Sequence, residues 1–404
     1  MPVHLDAVPA AAPMPPPIRR VVWLLLLGCM IGAGAVATLL TWPKDTPASG
    51  NWFWSCLLVF PSLAWAFLLG LRLYVHDGKS NYARDRNRRR EDRLRTETLR
   101  GQRPIAVLDA VYETAMGDAD LGDKLANGGE GMLAVYPPDD GDPVRCSMLP
   151  EAVRGRCGDA ASLTALFRRT LKRMAPRLQA MPRNVPIHAC LQVSAGGDAA
   201  FVEHAWREAA DDDLPIIASL RMVEAEAGLL ILDQWLDTQE TGRSGSVFLV
   251  VALQLHETPL DQTGEAVAAV LLAKGMRPHD ATPVANLHRP VAFAQADVDA
   301  RCADALLWGK HAAGQIGGLW TGGLDASGLN AVTAAADRAG AGSANAEGLV
   351  HFDLDMALGQ TGMAAGWLAA AAATERCRKE QQPQLVAISE NGHHRALVVA
   401  PANT

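Results

Sequence analysis

The sequence has few cysteines for its length, and none of them belongs to a recognisable motif. Seven cysteines are scattered over 404 residues without a CxxC pair, and two of them lie in long apolar runs. Zinc ribbons and disulfide frameworks need cysteines at short, regular spacings. The pattern argues against both and predicts reduced thiols at Cys29, Cys56, Cys146, Cys157, Cys190, Cys302 and Cys377.

Several common catalytic and cofactor motifs are also missing. The sequence contains no phosphate-binding P-loop, no GxGxxG dinucleotide fingerprint and no HExxH pair. Each of these motifs places specific groups around a phosphate or a zinc ion, so their absence argues against the corresponding enzyme classes. His188, His256 and His288 stand alone near predicted strands, where core or edge histidines are commoner than metal ligands. We expect neither a metal nor a cofactor.

Two runs are long enough to cross a bilayer. Val21 to Trp42 has 22 residues and Trp52 to Leu71 has 20, and neither contains a charged residue. About 18 apolar residues already suffice for a spanning helix. The first run follows a Pro-rich leader and is followed at once by the second, which is not the organisation of a signal peptide. The sequence predicts a two-helix transmembrane hairpin.

Basic residues are distributed unevenly around these two runs. Arg19 and Arg20 precede the first run, and eleven Lys and Arg residues fall between Arg72 and Arg103, whereas the intervening loop has only Lys44. By the positive-inside rule, both termini and the whole C-terminal part face the cytoplasm, with the hairpin in an inner (plasma) membrane.

The net charge changes sign along the chain. Residues 1–103 carry +7 and residues 104–404 carry −14. The basic stretch from Arg84 to Arg103 is typical of a segment that lies along anionic lipid head groups. Nucleic-acid binding is the alternative, but an acidic main domain and the lack of interleaved aromatic residues beyond Tyr82 argue against it. We therefore predict a membrane partner and no nucleic acid.

From residue 104 onward, short apolar runs alternate with amphipathic segments, which is the pattern of an α/β layer fold. The predictions include a strand at Ile105 to Val111, a helix at Gly264 to Lys274, a strand near Val284 to Val291 and a hairpin turn at Asn391 and Gly392. The predicted domains are a Pro-rich tail (1–20), two transmembrane helices (21–42 and 52–71), a basic juxtamembrane segment (72–103) and a soluble domain (104–404).

Several segments, in their order along the chain, resemble β-ketoacyl synthases of the thiolase-like superfamily. LGQTGMAAG at 358–366 is similar to the G-H-T-x-x-A-A-G segment that opens a small-residue helix in those enzymes. GEAVAAVLLA parallels the family's E-G-A-A-A-x-x-L segment, QIGGLWTGGLD its H-G-T-G-T turn, and RALVVAP its closing strand. The resemblance implies a thiolase-like layered αβαβα fold for the soluble domain, preceded by the transmembrane hairpin.

The same resemblance implies where the catalytic residues would lie, and each position differs here. Gln360 stands in place of the histidine of G-H-T, and Thr321 stands at or near the other histidine. Residues 224–228, with Glu226 as the candidate, fall at the nucleophilic cysteine. Glutamine does not titrate near neutral pH and cannot replace an imidazole in acid/base work. The resemblance therefore implies the fold without the reaction, and we predict no catalytic residue.

Two histidines and one cysteine complete the candidates. His393 and His394 follow the predicted hairpin turn, close to where the family's final loop approaches its active site, and exposed turn histidines are the alternative. Cys190 lies inside a predicted strand, which favours a buried thiol over a nucleophile. The remnant pocket candidates are Gln360, Thr321, Glu226, His393 and His394.

We interpret the chain as a membrane-tethered, catalytically inactive ketosynthase-like module that binds a protein partner, in a setting such as a bacterial envelope machine or type VI-like secretion system. The resemblance also implies a homodimer. One alternative is an acyl-transfer or condensing enzyme with an atypical site, such as Glu226 or Asp237 with His393 or His394. Another is a non-reacting partner subunit in fatty-acid or polyketide synthesis, although an acidic domain repels acidic carrier proteins.

Overall fold

The structure is a computed structural model that describes residues 5–43, 50–137, 142–182, 185–210, 217–224, 227–238, 245–274, 282–346 and 348–402. The chain divides into two compact units, a smaller one over His4–Thr98 and a larger one that begins at Leu99. The smaller unit is helical. Its elements are α1 (Arg20–Thr41), α2 (Asn51–Trp54), a π-helical turn (Ser55–Val59) and α3 (Phe60–Gly101), whose last residues belong to the larger unit.

Among the residues that the structure describes, two helices are long and apolar enough to cross a membrane, judged by length and composition: α1 and the continuous run Asn51–Gly101. They pack closely, because the indole of Trp65 donates a hydrogen bond to the carbonyl of Trp23 at 2.8 Å. A Cβ atom at Gly34 would overlap the ring of Pro61. Since Trp23 precedes Gly34 while Trp65 follows Pro61, the two helices run in opposite directions.

The Pro-rich tail lies beside the basic part of α3. The side-chain amide of Asn87 accepts from the Ala12 amide at 2.7 Å and donates to the Ala12 carbonyl at 3.1 Å. Arg90 donates to the Pro9 carbonyl at 2.7 Å. The tail and the basic stretch therefore lie at the same end of the helical hairpin.

The larger unit alternates strands and helices. Its strands are β1 (Ile105–Thr114), β2 (Leu133–Val135), β3 (Val144–Ser147), β4 (Ile187–Ser194), β5 (Ile217–Met222), β6 (Ser246–Gln254), β7 (Thr263–Gly264), β8 (Ala266–Lys274), β9 (Ala285–Leu287), β10 (Val291–Phe293), β11 (Gly318–Gly322), β12 (Val350–Asp353), β13 (Gln384–Glu390) and β14 (His393–Pro401). Its helices are α4 (Leu121–Ala126), α5 (Glu151–Arg154), α6 (Ala160–Gln179), α7 (Ala199–Ala210), α8 (Ile231–Asp237), α9 (Val298–Trp308), α10 (Ala326–Arg338), α11 (Leu354–Leu358) and α12 (Ala365–Glu380).

The main sheet contains an internal repeat. Its strand order is β5-β4-β6-β8-β1-β9-β14-β13-β11-β12, with β10 added beside β14. The first half contains β1, β4, β5, β6 and β8, and the second half contains β9, β11, β12, β13 and β14. When the five strands of each half are numbered in chain order, both halves have the same order from the outer edge to the middle of the sheet: third, second, fourth, fifth, first. In each half the second strand is parallel to the third and fourth, and the fifth is antiparallel to the fourth and first. The halves join through three residue pairs between β1 and β9. A second sheet, β2-β3-β7, lies outside this repeat.

Five layers follow from the alternation of side chains along the strands. One face of β4, β6 and β8 packs against α6 and α7, and the opposite face of these strands packs against α8 and α12. In the second half, β11, β13 and β14 pack against α9 and α10, while the other face of β13 and β14 meets α12. The order is helix, sheet, helix, sheet, helix, with the Ala-rich α12 in the central layer.

Two predicted elements differ from the structure. The segment Gly264 to Lys274 was predicted as a helix, and this is wrong, because Ala266–Lys274 forms β8 between β1 and β6. A strand buried on both faces has no polar alternation, so its small apolar residues look like a buried helix. The strand predicted near Val284 to Val291 is two short strands, β9 and β10. Pro290 lies between them and has no N–H for a ladder bond.

Candidate functional site

The start of α8 is the position at which the resemblance implies a nucleophile. Residues 225–226, and with them Glu226, lie outside the described part of the chain. The turn Gly228–Leu230 leads into α8, and the amide of Leu229 donates to Glu390 Oε2 at 3.1 Å. Gly228 has a φ of 40°, and a Cβ there would overlap the carboxylate of Glu390. A carboxylate therefore occupies the helix N-terminus that would stabilise a thiolate in the family.

Glu390 is held in place by Arg395. The Arg395 guanidinium donates to Glu390 Oε2 at 2.6 Å, and both side chains are only 1% exposed. The two residues flank the tight turn at Asn391 (φ 50°) and Gly392 (φ 79°), which joins β13 to β14. Burial raises the pKa of Glu390, while Arg395 and the Leu229 amide oppose that shift. The β13–β14 hairpin thus places a buried ion pair at the centre of the fold.

The start of α12 meets the same carboxylate. A Cβ atom at Gly366 would overlap Glu390, so the helix can approach the ion pair only because residue 366 is a glycine. One turn earlier, the Met363 amide donates to Gln254 Oε1 at 3.1 Å. At the start of α8, the Leu229 amide is therefore bonded to Glu390. At the start of α12, the Met363 amide is bonded to Gln254 and Gly366 contacts Glu390.

Gln360 has its own hydrogen-bond partners. Its backbone bridges to the segment before β8, because its amide donates to the Gln262 carbonyl and its carbonyl accepts from the Gly264 amide, each at 2.9 Å. Its side chain is exposed. Within the described residues, no hydrogen bond joins Gln360 to Glu390. The role of Gln360 as a remnant of the family's site stays a prediction.

Thr321 is buried near the carboxyl end of β11. Its hydroxyl lies 2.9 Å from Nε2 of His351, which belongs to the neighbouring parallel strand β12. Desolvation lowers the pKa of His351 below its ordinary value, although Asp353 opposes this shift. The imidazole is therefore neutral near pH 7. Sequence reasoning missed His351, because its partner lies 30 positions away on another strand.

A cavity of about 610 Å³ opens beside His351. Asp355 lies in its wall and accepts from the Gly323 amide at 2.5 Å through Oδ2. Its other oxygen, Oδ1, is buried and makes no hydrogen bond to any described residue. Burial raises the pKa of Asp355 to about 7. The cavity is lined by Leu125, Gly128, Gly129, Glu130, Met132, Arg145, Gln262, Leu329, His351, Asp353, Asp355, Met356 and Ala357.

The two histidines after the hairpin turn occupy different surroundings. His393 begins β14 and is exposed, whereas His394 is half-buried and stacks on the ring of Phe293, with centroids 5.4 Å apart. In the described part of the chain, no hydrogen bond joins Gln360, Thr321, His393 or His394 to another member of this set. The structure therefore does not join these four predicted residues through hydrogen bonds.

The groups proposed for an atypical enzyme have other partners. Asp237 accepts from Arg100 at 2.6 Å and from Arg289 at 2.7 Å. Burial alone would raise the pKa of Asp237, but the two arginines outweigh it and hold this pKa well below its ordinary range. Asp237 is therefore ionised and paired, which is unfavourable for a general base. Cys190 is buried in β4, and burial raises its pKa to about 11, as expected for a structural thiol.

Metal binding has no support from the geometry. Over the residues that the structure describes, no group of three or more His, Cys, Asp or Glu side chains is arranged to hold a metal ion. The expectation of no metal and no cofactor stays a prediction.

Comparison with known proteins identifies the fold. No protein-family model and no curated protein matches the sequence. Among solved structures, the chain is similar to the ketosynthase from module 1 of the bacillaene synthase of Bacillus amyloliquefaciens FZB42 (TM-score 0.54, 10% identity, 75% of this chain and 73% of that one). It is also similar to ketosynthase twelve of the bacillaene polyketide synthase in Bacillus amyloliquefaciens (0.53, 11%, 73% and 73%). A third similar structure is the PfaC keto synthase–chain length factor (0.52, 9%, 74% and 43%). The larger unit therefore has the thiolase-like fold of ketosynthases, as the sequence predicted.

Proposed function

We propose that this chain is a membrane-tethered ketosynthase-like protein without condensing activity, which acts as a binding or adaptor module for a protein partner. The observation that carries the proposal is the position of Glu390. In a thiol enzyme of this fold, the start of the equivalent helix lowers the pKa of a cysteine. Here that position is taken by a carboxylate whose charge is balanced by Arg395. The sequence has no cysteine between Cys190 and Cys302 that could share it.

Membrane attachment is the second part of the proposal. It rests on the two helices that are long and apolar enough to span a bilayer. The tail that lies against Asn87 and Arg90 supports a hairpin with both ends on one side. The arginine excess at that end favours the cytoplasm. The larger unit, which carries most of the acidic residues of the chain, is then available to cytoplasmic partners. A secretion-system setting stays a prediction.

A homodimer is the third part. Strand β5 ends the main sheet, and each of its residues is half-buried or exposed. An edge strand presents backbone N–H and C=O groups along its outer side, to which a second copy can add. Native mass spectrometry of the full chain released from detergent micelles tests this part, and a monomer at micromolar concentration would count against it.

The central experiment asks whether the chain forms an acyl-enzyme. The full chain in detergent is incubated with acyl-coenzyme A, and intact-protein mass spectrometry is used to look for the added acyl group. An active ketosynthase serves as the positive control. We expect no adduct on the natural chain or on Gln360→His, because the helix start remains filled by Glu390. A stoichiometric adduct on any residue, including Cys190, would reject the inactive module in favour of an acyl-transfer enzyme.

A further inference from the structure

The tail that precedes α1 is restricted by its prolines to one backbone conformation. Five of the nine residues from 9 to 17 are proline, and the ring of each fixes its own φ at about −65°. A residue that precedes a proline is held in the β or polyproline II region, so the whole run 12–17 is restricted. Residues 9–19 belong to neither a helix nor a strand, and Arg19 at their end has a φ of −75°. The tail is therefore a polyproline II helix with three residues per turn.

One edge of this helix lies on α3. Ala12, Pro15 and Ile18 are half-buried, whereas the residues between them are exposed. Because a polyproline II helix has three residues per turn, these side chains share one edge. Ala12 is bonded through its amide and its carbonyl to the side chain of Asn87, and Ala83, one turn before Asn87, is only 4% exposed. The contact with α3 therefore uses every third residue of the tail.

The other two edges of the tail form an exposed face. Pro13, Pro16 and Arg19 are exposed at intervals of three residues and lie along one edge. Met14, which is 53% exposed, and Pro17 lie along the other. Among the described residues, none forms a hydrogen bond or an ion pair with the Arg19 side chain. The face is a row of proline rings that ends at a guanidinium, over about 19 Å at about 3.1 Å per residue.

A face of this kind matches a groove lined by aromatic side chains. The prolines have already fixed the backbone, so little conformational entropy is lost when the tail binds. Aromatic-lined grooves recognise such preformed segments through the regular spacing of their proline rings. A groove that contacts two edges of the three-sided helix leaves the third edge on α3, so binding does not require the tail to detach.

The charge beside the tail favours an acidic groove. Arg20 follows Arg19, and Arg84 and Arg88 are exposed one position beyond Ala83 and Asn87 on α3. Between residues 72 and 103 there are eleven Lys and Arg against five Asp and Glu. Carboxylates at the rim of the groove complement this excess and speed association.

We infer that the exposed face of the tail is a docking site for the aromatic-lined, acidic groove of a polyproline-binding partner domain. The inference rests on the proposed function, because it names the class of protein that an adaptor would recruit. Anionic lipid head groups need only the charges of Arg19 and Arg20. A groove also needs the rings of Pro13 and Pro16, and this difference separates the two occupants.

The test titrates the full chain in detergent with purified SH3, WW and EVH1 domains, which bind polyproline II segments through aromatic grooves. Isothermal titration calorimetry gives the affinity. We expect at least one domain to bind, with one domain per chain. Pro13→Ala/Pro16→Ala should weaken this binding by about tenfold or more, because it removes both rings from one edge. Arg19→Gln should weaken it less, and by a factor that shrinks as salt is added.

Two further variants make the result specific. Pro9→Ala removes an exposed proline outside the face, keeps the carbonyl that accepts from Arg90, and should leave the affinity unchanged. Met14→Asp places a negative charge on the exposed face without altering the edge on α3. It should weaken binding to an acidic groove, which covers the case in which the double variant unfolds the tail.

Three results would overturn the inference: binding by none of the domains, an equal loss in Pro9→Ala, or binding that survives Pro13→Ala/Pro16→Ala but is lost in Arg19→Gln. The last of these would assign the contact to charge alone. An acyl adduct would instead reject the proposed function, so the two failures are distinguishable.

Discussion

The guanidinium of Arg395 lies 2.6 Å from the carboxylate of Glu390, at the point where the starts of α8 and α12 converge on the same hairpin. This ion pair lies at the helix start where the sequence resemblance implies a nucleophile. The larger unit therefore has the ketosynthase-like framework, and the opposite charges of Glu390 and Arg395 neutralise each other at its centre.

Removing one member of this ion pair should destabilise the larger unit strongly. Glu390→Ala leaves a buried guanidinium without its carboxylate, and such changes cost about 3 to 5 kcal/mol. Replacing both residues, as in Glu390→Gln/Arg395→Met, should cost much less, because no buried charge remains. Urea unfolding of the full chain in detergent, followed by near-ultraviolet circular dichroism, gives the free energies. A single variant as stable as the natural chain would contradict the role of the pair.

Gly366 should be intolerant of a side chain for a specific reason. A Cβ atom at this position would overlap the Glu390 carboxylate, so Gly366→Ala should cost about 1 to 3 kcal/mol, although alanine is normally the better helix former. In a Glu390→Ala background, the same change should be far less costly, since the clashing group is absent. A double-mutant cycle measured by thermal unfolding tests the coupling. Additive costs would mean that the two residues do not contact each other.

Asp355 should make the stability of the fold depend on pH. Its folded-state pKa of about 7 lies above the ordinary value of 3.8, so the folded state binds more protons than the unfolded state between these values. The stability that it contributes is complete below about pH 4 and is lost as the pH rises through about 7. Asp355→Asn keeps an acceptor for the Gly323 amide and does not titrate.

The measurement for Asp355 is the urea midpoint of the natural chain minus that of Asp355→Asn, between about pH 5 and about pH 8. We expect this difference to fall with rising pH and to level off above about 7. Subtraction of the variant removes the contributions of other titrating groups. A difference that stays constant over the range would show that Asp355 is ionised throughout.

Membrane topology can be tested with two reporters. Alkaline phosphatase fused after residue 402 should be inactive and green fluorescent protein at the same place should fluoresce, because the arginine excess retains that side in the cytoplasm. Phosphatase inserted after Trp42, between the two spans, serves as the positive control and should be active. The opposite pattern of activities would reverse the orientation.

The sequence predicted the order of most strands and helices because each has a local pattern. It failed at β8, where burial on both faces removes the alternation that identifies a strand. The two members of the central ion pair had a recognisable signal, since Glu390 and Arg395 interrupt two apolar runs on either side of an Asn-Gly turn. No sequence signal showed that these two residues meet the starts of α8 and α12, because that contact depends on how distant elements pack.

The cavity was beyond sequence reasoning for the same physical reason. Thr321 and His351 become neighbours only because β11 and β12 are parallel and adjacent in the sheet. Gln360 lay in the segment that resembles the family's motif most closely, but its backbone is bridged to Gln262 and Gly264 and its side chain is exposed.

The position of α12 has a consequence for how the chain is made. Side chains of α12 share one core with β1 and β8 of the first half of the sheet and with β13 and β14 of the second. Synthesis proceeds from the N-terminus, so the first half leaves the ribosome well before the helix that covers its inner face. Until α12 emerges, only helices of the first half, such as α8, can cover Val270 and its neighbours, so the nascent chain exposes apolar surface that favours aggregation.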